Sequence, residues 1–374
     1  MTKLKQLLAL SFYSIIFLLI IFSLFLYSGC KKDLSSLTNE IDTTSHDFTW
    51  RIDTIGTDNS VLFDVAVISE NDIWAVGRIS QMDSTGPPFG AVHWNGQLWE
   101  IKRLPAQAPT YTSYLTPTGI FIFGKDDIWF ASGGVHQYDG YSIDSYWINS
   151  FPGNPNPILD PGETAEKLWG TSSSNLFAVG KQGAIAYYNG NSWQKLNSGT
   201  TIDLLDVWGS PDGNVVWACG YTDLVGTILL KITGTTVETV YEDNDNWFNI
   251  RPDSLSGVLT SLWTNDPSKL YIISPAGMYI ASANTRGEAL RVWFNDDYLP
   301  GFPRRLRGQA ENDMVTVGDF LMLSHFNGSS WKYFENLQNN GRLRGVSIHN
   351  DLIVAVGVGV ADIFSLAIVI TGRR

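Results

Sequence analysis

The sequence predicts an all-β fold, a single seven-bladed β-propeller of four-stranded blades. Three observations lead there: a turn motif NGxxW at regular spacing, a short β run that recurs seven times, and chain ends that are complementary fragments of one unit. Each of the 374 residues after the first 46 falls into this scheme.

The motif occurs intact as Asn95-Gly96-Gln97-Leu98-Trp99, Asn189-Gly190-Asn191-Ser192-Trp193 and Asn327-Gly328-Ser329-Ser330-Trp331. The two intervals are twice and three times a period near 46, the size of one propeller blade. Weaker copies fall where that period demands, at Asp139-Gly140, Thr233-Gly234, Asn284-Thr285-Arg286-Gly287 and Thr371-Gly372. Upstream of each lies an acidic or polar turn and an apolar run, as in Asn71-Asp72-Ile73-Trp74-Ala75-Val76-Gly77 and Ser174-Asn175-Leu176-Phe177-Ala178-Val179-Gly180. A third element precedes these, clearest as Lys167-Leu168-Trp169-Gly170 and Asp206-Val207-Trp208-Gly209. Four strands per unit follow: a (LWG), b (AVG), c (the run into NG) and d (the run from Trp). Asn-Gly between c and d suits a type I′ turn.

The seventh unit stops at Ile370-Thr371-Gly372-Arg373-Arg374 and lacks strand d, whereas Asp47-Phe48-Thr49-Trp50-Arg51-Ile52 precedes the first strand a. An N-terminal strand around Trp50 that completes the last blade would close the ring and pair its terminal edges. Residues 47–374 form the propeller on this reading.

Residues 1–29 have the basic start, the uncharged apolar run (Leu7–Tyr27) and the small-residue end of a secretory signal, and the run is long enough to span a bilayer. Ser28-Gly29-Cys30 resembles the lipobox of bacterial lipoproteins, which implies cleavage before Cys30 and a lipid on it. Lys31 after the Cys resembles outer-membrane sorting. The expected address is therefore the cell envelope, with the membrane as a partner through that lipid and residues 30–45 as a polar tether. Removing Lys3 and Lys5 leaves 23 basic against 37 acidic residues, a net charge of −14 that argues against a nucleic-acid partner. With Cys30 lipidated, Cys219 has no partner, so packing holds the fold. A monomer is expected.

The VWG, AVG and NGxxW units resemble a group of bacterial propellers related to the photosystem II assembly-factor type and, distantly, to Asp-box sialidase-like blades. The resemblance covers nearly all of the mature chain. It implies the fold and leaves function open, since that architecture hosts many activities. The Asp-box itself is not matched, because Ser210-Pro211-Asp212-Gly213 puts Gly one position early.

No catalytic motif stands out, and no cofactor is expected. His93 and His325 sit two residues before the Asn of NGxxW, where repeat packing accounts for them better than metal binding. Asp243 and Asp245 in Asp243-Asn244-Asp245-Asn246 are weak calcium-ligand candidates, lacking the Gly and distal Glu of an EF-hand. Trp74, Trp129, Trp217, Trp99, Trp193 and Trp331 recur at fixed blade positions and read as packing residues.

Loop lengths carry the functional signal. In a propeller the a–b and c–d turns share one face, here tight throughout, and the b–c and d–a connections share the other. That second face receives every long insertion: 78–89, 103–117, 149–166, 241–258 and 295–303. Tyr111, Tyr114, Trp247, Phe248 and Tyr298 are aromatics there without a repeat position to explain them. At the strand-a Trp position the units read Ala66, Phe121, Trp169, Trp208, Trp263, Arg307 and Arg344, with Arg304, Arg305 and Arg342 nearby. Arg stacked on Trp or paired with an acid is one reading; a basic mouth beside the central channel that receives an anionic group is the other. The leading expectation is a non-enzymatic module that binds a protein or glycan through its long-loop face. A glycan-acting enzyme with Asp160, Glu163, Asp243 or Asp245 at the mouth and an assembly scaffold are the alternatives.

Overall fold

The computed structural model describes residues 43–82, 85–223, 226–244, 254–282, 289–294, 300–361 and 364–374. Its seven four-stranded sheets are the seven expected blades. Blade 1 comprises Val61–Ser69, Asp72–Ile79, Phe89–Trp94 and Trp99–Lys102; blade 2, Gly119–Gly124, Asp127–Ser132, Gly134–Tyr138 and Ile143–Tyr146. Blade 3 is Thr164–Ser172, Asn175–Lys181, Ile185–Tyr188 and Trp193–Lys195, and blade 4 is Asp206–Gly209, Val216–Thr222, Gly226–Thr233 and Thr236–Asp243. Ser261–Trp263, Lys269–Ser274, Gly277–Ser282 and Leu290–Phe294 make blade 5; Pro303–Ala310, Asp313–Gly318, Leu323–Phe326 and Trp331–Tyr333 make blade 6.

Blade 7 takes Gly341–His349, Leu352–Ala361 and Phe364–Arg373 from the end of the chain and Thr49–Ile55 from its start. The borrowed strand runs antiparallel from Thr49 opposite Arg373 to Ile55 opposite Ala367. Trp50 packs edge-on to Phe334 of blade 6 at 4.7 Å, while Ile55 joins the core shared with blade 1. Contacts with blade 6 begin still earlier, inside the stretch the sequence assigns to a tether. Thr44 donates from its N–H to the Asn327 carbonyl (3.1 Å) and from its hydroxyl to the Asn312 carbonyl (2.6 Å).

Each blade lies between two others, so a strand b must be apolar on both faces, which is why DIWAVGRI and NLFAVGK are buried almost throughout. The glycine of AVG has a steric origin. A Cβ on Gly77, Gly180, Gly318 or Gly357 would overlap the carbonyl oxygen of Val61, Thr164, Phe302 or Arg342 in the adjacent strand a. Opposite each of these glycines strand a bulges by one residue, Phe63, Glu166, Arg304 or Arg344 in turn. A bulge re-aims the side chain that it carries.

Two expectations change. The NG turn is a four-residue loop rather than type I′: Asn327 N–H donates to the Ser330 carbonyl, and of the residues in this loop only Gly328 has positive φ, at 99°. Asn327 Oδ1 accepts the N–H groups of Ser329 and Ser330, which explains Asn there by turn geometry. Second, 103–117 is no plain loop, since Pro105–Gln107 and Thr112–Tyr114 pair as an added hairpin, tied to blade 2 by the Trp147 indole N–H on the Gln107 carbonyl.

Candidate functional site

Strands a line the central channel, and the register fixes which of their residues share a level. Asp64, Gly119, Lys167, Asp206, Ser261, Arg305 and Gly345 all stand opposite the residue just before the b-strand glycine position. The charged members of this ring pair across the channel between non-adjacent blades. Lys167 Nζ lies 2.8 Å from Asp64 Oδ2, and Arg305 Nη1 lies 2.5 Å from Asp206 Oδ1. Arg307, two residues further on, clamps Asp206 through Nη2 and Nη1 at 2.8 and 2.9 Å, and the Ser261 hydroxyl donates to the same carboxylate. Burial alone would raise the Asp206 carboxyl, but Arg305 and Arg307 overturn this and hold it well below the usual carboxylate range. Burial pushes the Lys167 amine down to about 8, with Asp64 opposing the shift.

This layer separates two cavities. The one on the turn side, about 170 Å³, is lined by Asp64, Phe121, Trp208, Arg307 and Ser347 among others. On the loop side lies a mouth of about 250 Å³, whose walls include Lys167, Arg305 and all four bulge residues, Phe63, Glu166, Arg304 and Arg344. The AVG glycines thus permit the bulges, and the bulges supply the mouth. Asp203, Lys181 and Tyr221 complete its charged and aromatic rim.

The five arginines expected here divide three ways. Arg307 occupies the strand-a Trp position but points away from the mouth, stacked 4.5 Å over Trp208 and bound to Asp206, so the paired reading holds for it. Arg304 and Arg342 grip one carboxylate, Asp319, at 2.5 and 2.8 Å, and Arg305 is spent on Asp206. Arg344 is not at the Trp position at all. It is the bulge residue of its own strand, level with Arg304, and Ser347 stands level with Arg307. Instead Arg344 lies 5.4 Å over the Phe63 ring, forms no ion pair among the described residues, and keeps a buried Nε without a hydrogen-bond partner. Burial, then Arg342 and Arg304, push its guanidinium down to about 10.

Other candidates lie elsewhere. Tyr111 and Tyr114 are exposed on the added hairpin, and Phe320, beside Asp319, is exposed with a φ of 62°. Asp160 and Glu163 both bind Lys195, at 2.6 and 2.7 Å. Asp243 accepts the Tyr241 hydroxyl at 3.2 Å, and the described residues hold no group of three or more His, Cys, Asp or Glu fit for a metal. His93 and His325 each bond the Asp that opens their own strand b, Asp72 and Asp313, at 2.8 and 2.7 Å. Trp247, Phe248, Tyr298, Asp245 and Cys30 lie outside the described residues, as does the run 7–27. No helix among the described residues is long and apolar enough to cross a membrane.

Asp64, Lys167 and Asp206 stand outside the site residues expected from the sequence. Their signal is a charge two residues before the strand-a Trp position, which returns with opposite sign in other blades.

No family model matches this sequence, and neither does any curated protein. Solved structures do match. YCF48 bound to D1 peptide superposes with a TM-score of 0.60 at 14% identity, covering 90% of this chain and 99% of its own. YCF48 from Cyanidioschyzon merolae gives 0.54 at 14% identity, covering 87% and 98%, and the WD40 β-propeller domain of Doa1 gives 0.56 at 12%, covering 87% and 97%. The fold is shared. At such identities the likeness reaches the propeller architecture and stops there.

Proposed function

We propose that this protein is a non-enzymatic binding module of the cell envelope, anchored by lipid on Cys30, whose loop-face mouth takes an anionic group of a protein or glycan ligand. One observation carries the reading: Arg344 is a cation in a concave site whose neighbouring arginines all have carboxylates while, among the described residues, it pairs with none. An unpaired charge held in a cleft is a cost to the fold, and an anionic ligand would offset it. The D1 peptide on the YCF48 propeller supports a protein ligand over a glycan. Exposed Tyr111, Tyr114 and Phe320 supply aromatic surface of the kind that ligand contacts favour.

The test is a peptide and glycan array probed with residues 43–374. Binders bearing a carboxylate, sulfate or phosphate are expected, and Arg344→Ala should lose them while Lys125→Ala, at an exposed position in the a–b turn of blade 2, retains them. Equal capture by wild type and Arg344→Ala would refute the mouth as the site.

A further inference from the structure

A cavity of about 170 Å³ opens at the seam where the N-terminal strand meets blade 1, lined by Thr49, Arg51, Asp53, Trp94, Trp99 and Arg373 among others. The repeat supplies its own control. Tyr188 and Trp193 of blade 3 stand at the c–d positions that Trp94 and Trp99 hold in blade 1. There Tyr188 is buried and Trp193 half-buried against two rings of the preceding blade, Tyr146 at 5.5 and 6.2 Å and Trp129 at 5.6 and 6.2 Å. In blade 6 the equivalent Phe326 and Trp331 are buried outright. At the closing seam the register places Asp53 where blade 2 has Tyr146, and Val354 where it has Trp129. Two aromatic rings are thereby missing from one seam. The pair Trp94 and Trp99, 5.5 Å apart, is left half-buried on an open cavity.

The polar groups around this gap are fixed. Asp53 accepts the Trp99 indole N–H at 3.2 Å on one oxygen and two Arg51 donors at 2.9 and 2.7 Å on the other. Arg51 in turn lies 5.4 Å over the Trp94 ring. We propose that this seam is a second binding site, distinct from the mouth, and that it takes a neutral hexopyranose unit of a glycan. An indole face receives the C–H face of such a ring, a carboxylate accepts from its hydroxyls, and the guanidinium beside it donates to them. The mixed charge excludes the other classes. An anion would meet Asp53, a cation would meet Arg51 and Arg373, and a purely apolar side chain would leave the charges facing nothing.

The experiment is calorimetric titration of residues 43–374 with the methyl pyranosides of glucose, galactose, mannose and N-acetylglucosamine, and with cellotetraose and chitotetraose. Saturable binding to at least one probe is expected, weakened at least tenfold in Arg51→Ala and abolished in Asp53→Tyr. The second variant restores the ring found at the blade 2–3 seam and should melt no lower than wild type. Arg344→Ala should leave this binding unchanged, which separates failure here from failure at the mouth. No saturable heat with any of the six probes, or equal binding by wild type and Arg51→Ala, would overturn the proposal.

Discussion

Deletion of Asp47–Ile55 is expected to abolish the folded ring. The strand Phe364–Arg373 would lose its partner from Ala367 to Arg373, Trp50 would leave the blade 6–7 core, and Ile55 the core between blades 7 and 1. Alternate members of those seven residue pairs exchange ladder hydrogen bonds, and a bare apolar edge invites aggregation. Loss of the cooperative thermal transition and of the wild-type elution peak in gel filtration is the expected outcome. Appending residues 47–55 after Arg374 through a flexible linker should restore both. A deletion variant that melts as wild type does would show that the ring closes some other way.

Removing the Asp206 carboxylate is the second large effect. Asp206→Ala leaves Arg305 and Arg307 facing each other in a buried layer with no anion between them. Breaking a buried pair in this way costs about 3–5 kcal/mol. The pH dependence has a definite sign. A carboxyl whose folded pKa is depressed contributes stability above its unfolded value, about 4, and that contribution is lost as pH falls toward the folded value. Wild type should therefore lose stability on acidification below about pH 4, and the variant should lose less over that interval. Equilibrium urea unfolding at pH 7 and pH 3 reads both quantities. A variant within about 1 kcal/mol of wild type would mean that the layer is not a structural tie.

What the sequence made legible and what it hid follow from the same bulge. Seven units, their strands and the borrowed N-terminal strand are local patterns, and each is present. The letters Leu306-Arg307-Gly308 and Leu343-Arg344-Gly345 look equivalent, yet Arg307 stands three residues past the bulge of its strand while Arg344 is itself the bulge, so the level of each is set by its distance from the bulge and not by spelling. One arginine therefore faces Trp208 and the other faces the mouth. The basic cluster was legible as a cluster; its division into paired and unpaired members was not. That division depends on Asp206, 101 positions from Arg307, and on Asp319, 23 from Arg342. Likewise Trp99 reads as a packing residue by its position, and only the neighbour across the seam, Asp53 in place of an aromatic, shows that its ring is left partly uncovered.

The mouth has one decisive measurement, the thermal melt of Arg344→Met beside wild type at pH 7. Held near a pKa of about 10 by burial and by Arg342 and Arg304, the Arg344 cation costs stability at neutral pH, a cost that lifts only as pH rises beyond that value. If the residue serves a ligand rather than the fold, the Met variant melts at or above the wild-type temperature; a midpoint several degrees lower would mean that Arg344 is structural and contradict the assignment of the mouth as a binding site.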